Sequence, residues 1–513
     1  MTAIARRPSP AVLALLVSVS VAGAWAVYTP DTADLAAQSY RAQLFATQGF
    51  LLWDNNWYGG HYLPGYSLLF PPLAAVLGLR LTGVVLVPPA ACLFALILER
   101  TGSDARGRGA AWFAAALLGE LVIGRLTFLL GTTLALGAVA LLVHRRPWAA
   151  AILAAGTASA SPIAGAFLLL IAVALALHRR RRDAWLLAAG ALAPLLGTAL
   201  LTPEGGVQPF SALSFVAAAG LTLAFLGVVR RQPGLVRTSA ALYLAAIVVC
   251  YLIPNPVGSN IARLGVLVAG PVLLTRTSAP RSLLARATLL AMVTWQLFGP
   301  VTETVKSFAT PSRASIYASL LDQLALRGAE SGRVEIVPTA TRWEVARVAP
   351  RFALARGWES QLDRQRNPLF YGAARLDSAT YGRWLDANAV RFVVLPSVPL
   401  ERWGRKEGQL VGSGLPYLRR VWQQGPWTLF RVTNARSLIR GPAVDARLTH
   451  DTVSFDATGA GDVVARVRYT PRWQVTVGHA CVVPTAGMTR VRVTAPGPVQ
   501  LTATLTGAQR CPP

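Results

Sequence analysis

The chain has 513 residues, 53% hydrophobic and only 14% charged, with a mean hydropathy of +0.46. Soluble globular domains carry about 25% charged residues, so this composition excludes that class and points to a polytopic membrane protein. The formal charge of +26 does not imply nucleic acid, because the basic residues form no single tract; they fall in short bursts between apolar runs, as in the cytoplasmic loops of membrane proteins. Lys306 and Lys406 are the only lysines, and with the heavy use of Ala this suggests a GC-rich bacterial genome.

Arg6 and Arg7 precede an apolar run from Ala11 to Val27, in which Ala22, Ala24 and Ala26 would also suit a signal peptidase. The run is long enough to span and many spans follow, so a retained helix is preferred, with the N-terminus cytoplasmic. Residues 28–72 then form a long polar and aromatic outer loop. Between Tyr66 and Leu98 the apolar sequence is broken by Pro71, Pro72, Arg80, Pro88 and Pro89, which predicts a short re-entrant or interfacial piece followed by one crossing. Further spans are expected near 110–123, 126–143, 148–158, 161–177, 184–201, 211–229, 238–254, 261–275 and 282–301. Each pair returns to an Arg burst, as in HRRP at His144 and HRRRRD at His178. The expectation is about 11 transmembrane helices over residues 1–301, an odd count that leaves the remainder extracytoplasmic.

From Thr302 the charges become regular and apolar runs short. RVEIVP, RFVVLP and WTLFRVT read as strands, while RASIYASLLDQLAL and SATYGRWLDANAV read as amphipathic helices, predicting an extracytoplasmic α/β domain over 302–440. Residues 441–513 alternate with period two, as in DVVARVRYTPRWQVTV, which predicts a terminal antiparallel β module. Cys481 and Cys511 both fall in that module and are the disulfide candidates; Cys92 and Cys250 lie in apolar runs.

The chemistry-bearing residues concentrate in the outer loop. Asp31 and Asp34 are three apart and share a face if the segment is helical, so one could act as general base and the other as an orienting or metal-binding partner. The same spacing also fits a helix start, with Asp31 as cap and Asp34 favoured by the dipole. Downstream, Trp53, Asp54, Asn55, Trp57, Tyr58, His61, Tyr62 and Tyr66 mix flat aromatic faces with polar planar groups, a composition that binds sugars; an interfacial aromatic belt is the competing explanation. Glu120 and Arg125 flank the outer turn of GELVIGRLTFLLG, where they serve a site or pair with each other. Asn255, Asn260 and Arg263 come to the same side, and Arg263 is either a phosphate contact or a snorkelling helix-end residue.

The layout of a first helix, a long outer loop opening on acids, many spans and a terminal extracytoplasmic domain resembles the GT-C superfamily of integral membrane glycosyltransferases. DTADLAAQ carries Asp31 and Asp34 where those enzymes keep the catalytic acid, its DLAAQ is similar to their acid-x-x-x-Gln pattern, and YTPRWQV (469–475) is similar to a Pro-x-Trp strand of their terminal domains. The resemblance implies transfer of a hexose or pentose from a polyprenyl-phosphate donor, entering from the membrane lipid, to an envelope glycan or glycolipid acceptor outside a bacterial cytoplasmic membrane. It implies Asp34 as base, with Asp31 second; Arg263, Arg125 and His61 are assigned to the phosphate by chemistry alone. Whether a metal is used stays open: a divalent cation, Mg or Mn, would take Asp31 and Asp34, but these acids are spaced and not the doublet common in such enzymes. The alternatives are a transporter or flippase of lipid-linked sugars, or a non-catalytic GT-C-fold scaffold of envelope assembly.

Overall fold

The computed structural model describes residues 9–100, 105–231, 234–276, 282–310, 312–506 and 511, and its contacts divide into two compact units. One comprises Met1–Gln38 with Gly65–Val305; the other joins Ser39–Pro64 to Lys306–Pro513. The expected domain plan changes accordingly: the boundary moves from 301 to 305, and the middle of the outer loop belongs with the C-terminal part of the chain. Arg6 and Arg7, on which the orientation was reasoned, lie outside the described residues.

In the first unit every expected apolar run is helical. The helices are α1 (Pro10–Val27), the start of α2 (Ala33–Gln48), α3 (Phe70–Leu77), α4 (Leu79–Glu99), α5 (Arg106–Ile123), α6 (Leu126–Val143) and α7 (Pro147–Ala160). They continue as α8 (Pro162–Leu177), α9 (Arg181–Leu201), α10 (Ala212–Val228), α11 (Leu235–Leu252), α12 (Ala262–Leu264), α13 (Gly270–Arg276) and α14 (Leu283–Ala309). Among the described residues six segments are long and apolar enough to cross a membrane, namely α1, α4, α6, α9, α11 and the compound helix Gly258–Arg276, while α8 and α10 are apolar but shorter. This is a membrane protein. The proline-broken stretch divides at Gly78 into α3 and α4, and α4 accommodates Pro88 and Pro89 in its interior.

Close packing here uses small and flat side chains, as expected where lipid removes any hydrophobic drive between helices. Phe94 of α4 stacks on Phe113 of α5 with centroids 4.1 Å apart, and Gly131 of α6 lies against Ser161 and Ala164. Outward-facing Ile152, Leu200, Leu213 and Leu283 stay exposed, an apolar surface suited to acyl chains. The compound helix runs from a 3₁₀ turn (Gly258–Ile261) through α12 and a π turn (Gly265–Ala269) into α13. Side chains satisfy its irregular backbone: the Tyr243 hydroxyl donates to Ile261 O at 2.9 Å and accepts from Gly265 N, while Gln296 donates to Val266 O.

In the second unit, the chain forms β1 (Trp53–Asp54) and β2 (His61–Tyr62), then α15 (Ala314–Leu326), β3 (Arg333–Ile336), α16 (Glu344–Arg347), α17 (Ser360–Arg366) and α18 (Ser378–Ala387). β4 (Val390–Pro396), α19 (Arg405–Gly412), β5 (Leu418–Gln424) and β6 (Trp427–Val432) complete an α/β domain with sheet order β3-β4-β6-β5, in which only β3 and β4 are parallel. Eight further strands follow: β7 (Ile439–Arg440), β8 (Ala443–Leu448), β9 (Thr452–Ala457), β10 (Gly461–Arg468), β11 (Trp473–Val477), β12 (Ala480–Val483), β13 (Met488–Val493) and β14 (Gly497–Ala503). They make two antiparallel sheets, β12-β13-β10-β7 and β11-β14-β9-β8. The period-two pattern is explained by one buried face per sheet: Val463, Ala465 and Val467 of β10 meet Val453 and Phe455 of β9 in a shared core. The expected α/β domain and antiparallel β module are thus present, and Cys481 and Cys511 are joined by a disulfide.

Candidate functional site

In the membrane unit, α2 begins beside the turn that links α5 to α6. Gly124 closes α5 in the left-handed conformation at φ +87°, and a Cβ there would come within 2.7 Å of Leu35 N, so α2 can approach only over glycine. Thr32 Oγ1 donates to Ile123 O at 2.8 Å. Gln38 bonds the same turn twice, donating to Gly124 O and accepting from Thr127 N. Asp34, one helical turn before Gln38, accepts from Arg125 Nε at 3.3 Å. The DLAAQ spacing therefore has a local meaning: residues i and i+4 of one helical face read the α5–α6 turn together.

Around that turn the acids and arginines of the membrane unit gather. Arg125 Nη1 lies 3.9 Å from Glu120 Oε1, and Glu120 is only 3% exposed whereas Asp34 and Arg125 are 21% and 25% exposed. Arg263 has its guanidinium 5.5 Å from the centre of the Phe128 ring and is an electrostatic neighbour of Asp34, Glu120, Arg125 and Tyr66. Glu303, which sequence reasoning missed because it follows the last apolar run, is a neighbour of Arg125. Two buried polar atoms in this group, Glu120 Oε2 and Arg263 Nε, have no hydrogen-bond partner among the described residues. A guanidinium N–H left without an acceptor at membrane depth is costly, and an anion would satisfy it.

The other outer-side candidates have local tasks. Thr32 rather than Asp31 accepts the first helical bond of α2, from Ala36 N, and Asp31 is half-buried just before it. Asn255 ends α11: its Oδ1 accepts from Val257 N and Gly258 N, and its Nδ2 donates to Cys250 O and Ile253 O. Asn260 lies in the following 3₁₀ turn. Among the described residues no group of three or more His, Cys, Asp or Glu could hold a metal ion. No family model matches the sequence, and no curated protein matches it.

The aromatic run differs from the expected sugar-binding surface. Trp53, Asp54, Asn55, Trp57, Tyr58, His61 and Tyr62 are all buried within the second unit, where protein groups occupy most of their polar atoms; Trp57 Nε1 and His61 Nε2 have no hydrogen-bond partner among the described residues. Trp53 and Tyr62 enter the core between the two β sheets, and Gly60, at φ +123°, leaves room for the Trp53 ring, which a Cβ would meet at 2.2 Å. Asn55 donates to Thr449 O and Thr452 O; Tyr58 donates to Glu359 O. Trp57 stacks between Tyr40 and His61, with Arg41 over its ring and Arg41 also paired to Glu359. These side chains cement the loop into its unit, so His61 is withdrawn as a phosphate contact and the run as an open sugar site. Tyr66 is the exception, assigned to the membrane unit.

Asp54 is the polar centre of that cement. Tyr40 OH donates to its Oδ2 at 2.7 Å, Asn56 N to its Oδ1 at 3.1 Å, and His450 Nδ1 lies 3.0 Å from Oδ1. Burial pushes its carboxyl up, but the His450 hydrogen bond, the nearby His61 and the Tyr40 bond outweigh burial and hold it below the usual range. His61 is itself pushed down by burial, so its ring is held neutral near neutral pH. Asp54→Asn keeps the shape and removes the charge, and is expected to cost about 1–3 kcal/mol. The measurement is amide exchange at β1, β2 and β9 in the full chain. Because the folded Asp54 value is depressed, its stabilisation holds above the unfolded value and is lost as pH falls through the folded one, a loss the variant should not show.

Proposed function

We propose that this protein is a GT-C-type glycosyltransferase that moves a sugar from a polyprenyl-phosphate donor to an envelope glycan or glycolipid on the extracytoplasmic face of a bacterial cytoplasmic membrane. One observation carries the proposal: a partly exposed carboxylate, Asp34, lies beside Arg125 in a cluster that includes Arg263, whose Nε lacks an acceptor. Sugar transfer from a lipid phosphate needs those two functions side by side. The acceptor hydroxyl oxygen bonds to the anomeric carbon as the bond from that carbon to the phosphate oxygen breaks. Asp34 takes the hydroxyl proton, and Arg263 with Arg125 stabilises the charge left on the phosphate. On this reading all eleven apolar runs cross, the N-terminus is cytoplasmic and the second unit is outside, where the Cys481–Cys511 disulfide suits an oxidising compartment.

The experiment is transfer by the purified full chain in nanodiscs, offered a panel of radiolabelled polyprenyl-phosphate hexoses and pentoses with an envelope glycan as acceptor. Label should leave the lipid, and Arg263→Gln should slow its release by about a hundredfold, the scale of one lost anion-stabilising donor. Movement of intact lipid-linked sugar between leaflets without cleavage would mark a flippase instead. A non-catalytic scaffold is the second reading, favoured by the engagement of both Asp34 and Gln38 with the α5–α6 turn; it expects no release from any donor.

A further inference from the structure

The second unit has an excess of arginine where its α/β domain meets its β sheets. One cleft there, of about 540 Å³, is lined by Arg436, Arg440 and Arg466, with Asp386 the only carboxylate among its lining residues. Asp386 is 3.7 Å from Arg436, and both are largely exposed, so it offsets little of the charge. A second depression, of about 410 Å³, is lined by Arg391, Arg419 and Arg431 with no acid. Arg419 and Arg431 are direct cross-strand partners on β5 and β6, a like-charge pairing that destabilises a sheet unless something compensates it. The two depressions are consecutive along one stretch of chain, since residues 432–435 line one and 436–440 border the other.

Arg333, fully buried on β3, is an electrostatic neighbour of Arg466, which lines the first cleft. Arg333 Nη1 donates to Asn388 O at 2.8 Å, one residue beyond Ala387 of the cleft lining, while its Nε and Nη2 have no hydrogen-bond partner among the described residues. Its electrostatic neighbours are Arg468 and Arg466, not acids; burial and those two charges push it down to about 9. A buried guanidinium whose neighbours are all cationic is a standing cost to the fold. A negative charge in the cleft beside Arg466 would reduce that cost and the mutual repulsion of the rim.

We infer that this arginine stripe is a binding site for a linear polyanion, specifically a glycan carrying carboxylate or phosphate groups along its chain. Six guanidiniums in two adjoining depressions match repeated anionic groups better than a single small anion, and their planar forks suit carboxylate and phosphate oxygens alike. That the polymer is a glycan rests on the transferase reading, for which it would be the acceptor; that the stripe takes a polyanion does not.

The test is equilibrium binding of fluorescent polygalacturonate and of poly(glycerol phosphate) to the full chain in phosphatidylcholine nanodiscs, with neutral dextran as reference. Either anionic chain should bind, with affinity falling as salt is raised, and the arm that binds more tightly names the anionic group. Arg436→Gln/Arg440→Gln and Arg419→Gln/Arg431→Gln should each weaken binding about tenfold, two modest ion contacts apiece. Arg181→Gln/Arg182→Gln, in the burst at the start of α9, should leave it unchanged. Equal loss in that control, no loss in the stripe variants, equal binding of dextran, or equally effective displacement by dihexanoylphosphatidylglycerol would overturn the proposal. Binding that persists in a chain with no transfer activity would retain the site and remove the transferase reading alone.

Discussion

Asp34→Asn is expected to lower sugar release from a polyprenyl-phosphate donor by about 10²–10⁴-fold, the contribution of a general base, while donor binding is retained. The magnitude decides between two roles for this residue. Asp34 also accepts from Arg125 Nε at 3.3 Å, and both side chains are partly exposed. An ion pair of that kind contributes about 0–1 kcal/mol, so its loss alone explains no more than about a fivefold drop. Arg125→Gln breaks the same contact from the other side. If Asp34 only holds the turn, the two variants should be similarly mild and the double variant no worse than either, since one shared contact is lost in all three. If Asp34 is the base, the Asn variant should be far slower than the turn geometry allows and should lose the acid limb of the pH profile, while Arg125→Gln keeps that limb. Single-turnover release in nanodiscs measures both. A drop below fivefold for Asp34→Asn, in a chain that still binds donor, would remove Asp34 from the reaction.

Helix positions were legible because lipid imposes one simple demand: every backbone group must be bonded within its own segment, so a long apolar run has to be helix. The β module was legible for a similar reason, since one buried face makes Val463, Ala465 and Val467 alternate with outward residues. Misassignment came where composition had two uses. Asp54, Asn55 and Tyr58 have the chemistry of a sugar site, yet they are partnered by His450, Thr449, Thr452 and Glu359, about 300–400 residues away in sequence. No local pattern reports partners at that separation. One signal was available: Gly59-Gly60 between two short aromatic segments has the form of a hairpin, and a hairpin must pair and pack, whereas a ligand loop need not. The acid and arginine cluster was found residue by residue because ionisable groups near apolar runs are rare, while Glu303, past the last run, looked like ordinary surface.

Arg356→Met is expected to cost about 3–5 kcal/mol and to unfold the α/β domain locally, because it strands buried acids that this guanidinium bonds directly. Arg356, buried on the chain between β3 and α17, donates through Nε and Nη2 to Asp363 Oδ2 at 3.0 and 2.8 Å and through Nη1 to Glu407 Oε2 at 2.8 Å. Glu335 Oε1 is a further 3.7 Å contact. Asp363 gains further donors in Asn367 and Tyr371, and Glu407 one in Tyr381. Among the described residues Glu335 meets no N–H or O–H donor, yet it lies within hydrogen-bonding reach of Glu407. Two carboxylates stay that close only if they share a proton. Burial first and Glu407 second push Glu335 well above the usual carboxylate range, so the folded state keeps a proton that the unfolded chain releases. The sign follows: stability from this group is full below the unfolded value and falls as pH rises toward the folded one, by at most about 1.4 kcal/mol per pH unit for one proton. Asp363 acts oppositely; burial pushes it up, but Arg356 together with Arg342 and the Tyr371 hydrogen bond outweighs burial and holds it low, so its contribution is lost as pH falls through the folded value. Glu335→Gln supplies the neutral form permanently and should leave the domain at least as stable as wild type above the unfolded value while removing the decline with rising pH. Amide exchange at β3 and β4, corrected for intrinsic rate, reads both effects in the full chain. A decline with rising pH that survives in Glu335→Gln would mean that the shared proton does not reside on this pair; Arg356→Met would then still lose its bonds to Asp363 and Glu407 and its packing on Phe370, whose ring centre lies 4.0 Å from the guanidinium carbon.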